Sequence, residues 1–283
     1  MSTNPSSLSA DQYVDDDLRP AEGWHVAHLF YHIDQAQWDL LSEDEQIDAK
    51  TNLTKLVQEV RATPESQLLT FSMVTPKADI GFMLLTPDLH DLNYFEKRLT
   101  ASLGPDILTP AYSYLSMTER SEYTTTSEQY GEQIKEEKGL TEDSDEFKAA
   151  ITEFEERMKK YSKDRLYPNM PDWPVFCFYS MAKRRGEGHN WYGLDFETRR
   201  LLMKGHAAVG RQWAGKIRQL ITGSVGLDES EWGVTLFARD TYDVKGIVYQ
   251  MRFDEVTVKY GEFGDFYIGI QLPLDQLFRR IGI

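Results

Sequence analysis

The order of secondary-structure signals constrains this chain most, because it comes round twice. The aromatic, β-favouring run Trp24 to Tyr31 (WHVAHLFY) reads as a strand, and Glu43 to Arg61, opened by Ser42 as N-cap, reads as a helix. Strands at Gln67 to Val74 and Asp79 to Thr86, a helix at Leu89 to Leu103 and a strand at Tyr112 to Thr118 complete a β-α-β-β-α-β block. The same order returns as strand Val175 to Lys183, helix Phe196 to Arg218, strands Gln219 to Gly223 and Trp232 to Ala238, helix Tyr242 to Arg252 and strand Glu262 to Leu272. The repeat is one of topology and not of visible sequence identity. It predicts an α+β fold, a duplicated ferredoxin-like subunit of the dimeric α/β-barrel type, with antiparallel sheets and helices on the outside.

That pattern divides the chain into a loosely held arm rich in Ser, Asp and Pro (1–22), a first unit (23–125), a connector (126–174) and a second unit (175–283). Ser127 to Arg165 carries 12 acidic and 8 basic residues. Phe147, Ile151, Phe154 and Met158 recur there at helical spacing, which predicts one amphipathic helix over Asp145 to Tyr161. Pro168, Pro171 and Pro174 then favour an extended connection.

Composition excludes several classes. With 31 Lys and Arg against 46 Asp and Glu, the net charge of −15 opposes non-specific nucleic-acid binding, so an anionic ligand needs a local basic cluster such as Lys183-Arg184-Arg185. No apolar run approaches the roughly 18–20 residues of a membrane-spanning helix. The first residues lack a basic start and apolar centre and carry Asp15, Asp16 and Asp17 instead, from which we expect a cytoplasmic protein. The single cysteine, Cys177, offers neither an intrachain disulfide nor a thiolate metal cage.

Chemistry concentrates in the second unit. On a strand, Cys177, Tyr179, Met181 and Lys183 share one face, while Phe178, Ser180 and Ala182 form an apolar face suited to packing on helices. Tyr179 and Lys183 then stand about 13 Å apart, comparable to the breadth of a porphyrin with its carboxylate arms. A core tyrosine and a strand-capping lysine fit the same pattern. His206 lies on the apolar side of its helix with Leu202, Met203 and Val209, amid Gly205, Ala207, Ala208 and Gly210; close approach of a flat ligand and close helix packing both account for those small residues. Gln219 offers a neutral amide as hydrogen-bond donor, or simply opens a strand. His25, His28 and His32 read as packing or surface residues and not as a zinc site. Phosphate-loop, dinucleotide-binding, His-Glu-x-x-His and Gly-x-Ser-x-Gly motifs are absent from the sequence.

Taken together, Tyr179 to Arg185, Asn190-Trp191-Tyr192, His206 with Gly210-Arg211, Gln219 to Asp228 and Glu231 to Ala238 resemble the chlorite dismutase-like superfamily. Within it they are most similar to the coproheme decarboxylases, hydrogen-peroxide-dependent haem synthases, over about Trp24 to Gly269. The resemblance implies a homopentameric ring whose C-terminal units hold iron porphyrin. It implies His206 as proximal iron ligand, Tyr179 as the radical-forming residue and Lys183 as the residue assisting a second decarboxylation. Arg165 and Thr257 would bind propionates, Met181 and Trp191 would line the porphyrin edge, and Gln219 would occupy the distal position where chlorite-degrading members carry arginine. The implied reaction turns two propionates of iron coproporphyrin III (coproheme), supplied by a ferrochelatase, into vinyl groups. Haem b forms through a monovinyl tripropionate intermediate, with hydrogen peroxide as oxidant. A chlorite dismutase-like haem peroxidase and a non-enzymatic haem-binding protein share the fold; Gln219 argues against the first, and Tyr179 with Lys183 against the second. Ser180, Ala207 and Trp213 depart from the family pattern, which usually has proline, glycine and tyrosine there.

Overall fold

The structure, a computed structural model, describes residues 17–283. Each half of the chain contributes a four-stranded antiparallel sheet. In the first half, β1 (His25–Ile33), β2 (Gln67–Met73), β3 (Ile80–Thr86) and β4 (Leu108–Thr118) lie in the order β4-β1-β3-β2. The second half opens with β5 (Val175–Lys183) and a small hairpin of β6 (Arg185–Gly186) and β7 (His189–Asn190). There β5 and the later strands β8 (Ile217–Gly223), β9 (Trp232–Ala238) and β10 (Gly261–Gln271) repeat the permutation as β10-β5-β9-β8. Antiparallel pairing of β2 with β10 and of β4 with β8 closes the two sheets into one barrel, so neither half keeps a free edge. The α+β, antiparallel, duplicated architecture read from the sequence is the architecture found.

The barrel interior is filled by aromatic side chains from both halves, including Phe30, Phe71, Phe176, Phe178, Phe237 and Tyr267. Phe71 stacks on Phe176 with ring centroids 3.9 Å apart, and His28, fully buried, stacks on Phe178 at 4.0 Å. An eight-stranded barrel is just wide enough for side chains to fill, and this one is filled. The finding corrects one expectation. The Phe178 face of β5 does not pack on helices; it points into the barrel, because closure brings the aromatic faces of both sheets together. The Cys177–Tyr179 face is the one that lies under helices.

Those helices cover the two halves unequally. In the first half, α1 (Gln35–Leu40), α2 (Glu43–Ala62) and α3 (Leu89–Ala101) pack tightly on the outer sheet face, α2 burying Ala49, Leu53, Leu56, Val57 and Val60. The connector holds α4 (Ser127–Lys138) and α5 (Asp145–Leu166), and the second half is covered by α6 (Phe196–Arg211), α7 (Thr241–Met251) and the short α8 (Glu255–Tyr260). The last helix, α9 (Leu274–Ile281), returns to the first-half core through Leu277 and Phe278. Although α6 follows its strand as α2 follows β1, it buries no residue. Its apolar side borders a hollow where the first half has a core.

Several local readings need correction. The connector forms two helices and not one, because Thr126 and Gln129 make a capping box that starts α4 and Gly139, left-handed at φ 66°, ends it. The helix read to Arg218 stops at Arg211, after which a turn through Gly215, at φ 83°, leads into β8. The hairpin, α1, α8 and α9 left no periodic signal long enough to read. The expected arm falls largely on residues 1–16, outside the described residues; residues 17–22 follow an irregular path.

Filled and hollow halves should respond differently to truncation. Leu53→Ala should lower the unfolding free energy of the ligand-free protein by about 2–5 kcal/mol, whereas Met203→Ala on α6 should cost under about 1 kcal/mol, as measured by chemical denaturation.

Candidate functional site

The hollow is a cavity of about 390 Å³. Outer faces of β5, β8, β9 and β10 form its floor, α6, α7 and α8 its roof, and residues 119–123 with Arg165 its mouth. All eight residues singled out from the sequence line it: Arg165, Tyr179, Met181, Lys183, Trp191, His206, Gln219 and Thr257.

Tyr179 is placed by an irregularity in β10. Pairing with β5 shifts register between Phe263 and Phe266, which puts both rings on one face, at 5.7 and 4.5 Å from the Tyr179 ring. Gly264 permits the bulge, since a Cβ there would run into the Ser180 hydroxyl. Among the described residues the Tyr179 hydroxyl has no hydrogen-bond partner, and burial pushes its pKa up, so the phenol keeps its proton. Lys183 is 5% exposed, with Nζ 4.7 Å from the Trp191 ring centre. Burial pushes its amine down to about 8, while Asp254 and Glu231 pull it the other way.

His206 directs Nδ1 to Asp254 Oδ2 at 3.0 Å. A carboxylate only accepts, so Nδ1 donates to it, and Nε2 is the ring nitrogen left to meet a ligand. Asp254 in turn caps α8: it accepts the Thr257 backbone N–H at 3.1 Å and the Thr257 hydroxyl at 2.7 Å. Burial raises its pKa, but hydrogen bonds from His206 and Thr257 outweigh that and hold it below the usual carboxylate range. A carboxylate behind an imidazole fixes the ring's tautomer and orientation and makes it a better metal ligand. The Thr257 hydroxyl hydrogen is thereby committed to Asp254, which places the threonine as a support of the histidine's partner beside the cavity. No group of three or more His, Cys, Asp or Glu able to hold a metal ion occurs among the described residues.

The small residues around His206 now have separate reasons. Gly210 faces α7, where a Cβ would lie 3.3 Å from Met251 Cε, while Gly205, Ala207 and Ala208 lie on the exposed side of α6. Helix packing, and not a flat ligand, accounts for the first. Trp213 lies against Gly246 and donates to Gln250 Oε1 at 2.7 Å, so that departure from the family pattern is absorbed in packing. Gln219 lines the floor from β8 beside Ile221, and Arg165 donates to the Glu119 backbone oxygen at 3.1 Å at the mouth.

Sequence reasoning gave no role to Asp254, Glu231, Glu119 or Tyr123. The Glu119 carboxyl lies over Gly223, in the space a Cβ there would take, and burial raises its pKa. Tyr123 accepts from Arg199 Nε at 3.3 Å, and burial pushes its pKa up to about 12. An Asp-x-x-Thr helix start was visible at Asp254, but its bond to His206 spans 48 residues and leaves no local trace.

Fold and cavity define a duplicated ferredoxin-like barrel with a ligand pocket between one sheet and its helices. The chlorite dismutase family model matches residues 46–272. A protein from Thermus thermophilus, described as a novel haem-binding protein, is 36% identical over 93% of this chain and 96% of its own, with a TM-score of 0.77. A chlorite dismutase from Candidatus Nitrospira defluvii, solved in complex with imidazole, shares the fold at 16% identity, covering 93% of this chain and 97% of its own with a TM-score of 0.69. The chain belongs to the chlorite dismutase family.

The depressed Lys183 amine has a consequence for stability. Between about 8 and its ordinary 10.5 the unfolded chain holds a proton that the folded chain has released, so stability should rise with pH across that window. Lys183→Met should abolish the rise and stabilise the ligand-free protein at pH 7 by about 1–3 kcal/mol in denaturant titrations.

Proposed function

We propose that this protein is a coproheme decarboxylase that converts two propionates of iron coproporphyrin III into vinyl groups and yields haem b. The observation that carries this reading is the placing of Tyr179, Lys183 and His206 in one cavity that stands where the other half of the molecule has a core. The residues fit such a group: Ile221, Val234 and Leu236 would offer apolar contact to a macrocycle, His206 would hold its iron, and Lys183 and Arg165 would supply cations for its carboxylates. The haem-binding description of the Thermus relative supports the same class of ligand.

Each step balances as one propionate carboxylate, one hydrogen peroxide and one proton giving one vinyl group, carbon dioxide and two waters. His206 would hold the iron, which would supply the activation of peroxide and the oxidising equivalents. Tyr179 gives up an electron and its phenolic proton and then takes a hydrogen atom from a propionate β-carbon; as carbon dioxide departs, the remaining electron is taken up by the second oxidising equivalent that the peroxide provides. Lack of a hydrogen-bond partner leaves its hydroxyl free to face the substrate. Lys183 holds the carboxylate of the second propionate and supplies a proton in the monovinyl tripropionate stage, for which an amine poised at about 8 is suited. Gln219 donates a hydrogen bond without a charge, the reason to set chlorite aside as substrate. Met181 and Trp191 wall the porphyrin edge. Hydrogen peroxide is the co-substrate, a ferrochelatase the source of coproheme, and a homopentamer in the cytoplasm the setting of this reading. No helix among the described residues is long and apolar enough to cross a membrane.

Mass spectrometry of porphyrins after incubation with coproheme and peroxide tests the reading. Wild type should release haem b with a transient monovinyl species, Tyr179→Phe should bind coproheme yet form no vinyl product, and Lys183→Met should stop at one vinyl group. Oxygen evolution from chlorite, or binding without any vinyl product in wild type, would favour instead a haem peroxidase of the chlorite dismutase kind or a non-enzymatic haem-binding protein.

A further inference from the structure

Between β5 and α6 the chain leaves the barrel through the β6–β7 hairpin and a 3-10 turn at Trp191–Gly193, and one carboxylate ties this excursion down. Glu231, 3% exposed just ahead of β9, accepts the Lys183 backbone N–H at 3.2 Å, the Tyr192 hydroxyl at 3.1 Å and the Arg185 guanidinium. These donors come from the beginning and the end of the excursion, so a single buried group holds both. Its own backbone is fixed too, the carbonyl accepting Ser224 N–H at 2.8 Å. Between the tethered ends sits Trp191, whose backbone N–H donates to the Arg184 carbonyl at 3.0 Å and whose ring lies beneath Lys183 Nζ. Three donors converging on one buried carboxylate are charge-assisted hydrogen bonds, and losing the charge loosens all of them at once.

We propose that Glu231 is a positioning residue: by clamping the segment 183–192 at both ends it fixes the Lys183 ammonium over Trp191 at the cavity wall, and so governs the second decarboxylation. This rests on the function proposed above. The clamp acts on Lys183 twice, through its backbone N–H and through charge. The groups that face this lysine are Asp254 ahead of α8 and Glu231 ahead of β9. Around them, Arg184 on the same chain segment pairs with Glu262 of β10 at 3.9 Å, Arg185 is held by Glu231, and Tyr260 of α8 packs edge-on to Trp191 and beside His189. Removing the Glu231 charge withdraws one of two influences that keep the amine protonated.

Glu231→Gln keeps an acceptor of the same shape and removes the charge. In the full-length, porphyrin-free protein, hydrogen exchange of amides 184–193 should quicken at least tenfold. In turnover with coproheme and peroxide, the monovinyl product should accumulate severalfold over wild type. The pH above which the second step fails should move down, a shift that a purely structural change would not cause. Arg185→Gln alters a largely exposed side chain, does not endanger folding, and should move exchange in the same direction by less. Unchanged exchange in both variants would overturn the clamp, and faster exchange with wild-type product ratios and pH profile would overturn its role in the second step. A wild-type protein that forms no vinyl product would instead defeat the proposed function, while the exchange measurement would still report on the clamp.

Discussion

Closure of the barrel around stacked phenylalanines decides where this protein can hold anything. Phe71 on Phe176, His28 on Phe178 and Phe30 on Tyr267 at 4.4 Å leave no room inside, and both sheets contribute to that interior. A ligand site must therefore lie outside the barrel, between a sheet and its helices. The duplication provides two such places. One is closed by five buried residues of α2, and the other stays open beneath α6.

An open place of this kind accumulates groups that do not suit a dry core. Lys183 is buried with its amine depressed, Tyr179 has a hydroxyl without a partner among the described residues, and Glu119 sits with its acidity weakened. Groups with shifted acidity gathered in one cavity mark a candidate functional site. His206 differs, because Asp254 already engages one of its two ring nitrogens. The site thus combines one histidine already held by a carboxylate with several polar groups whose acidity burial has shifted.

The order of elements was legible in the sequence because strand and helix periodicities are local properties, and the 4-1-3-2 permutation follows once the order repeats. Which face of β5 pointed into the barrel was not legible: Phe178-Ser180-Ala182 is as apolar as a helix-facing surface, and only pairing of β2 with β10 and β4 with β8 shows that it faces inward. The residues carrying the family motif were found together because motif and cavity coincide. Their supports were not, since Asp254 reaches His206 across 48 residues and Glu231 reaches Lys183 across the same distance. Short elements escaped for another reason: α8 has six residues and the hairpin strands two each, too few for any period to show.

The claim on which the rest turns is that His206, held by Asp254, ligates iron in the hollow half. Resonance Raman spectra of the ferrous coproheme complex report the iron–imidazole bond directly. Wild type should show that stretching band, Asp254→Asn should shift it to lower frequency as the imidazole loses its anionic partner, and His206→Ala should lose it. The same band, at the same frequency, in His206→Ala would contradict the account.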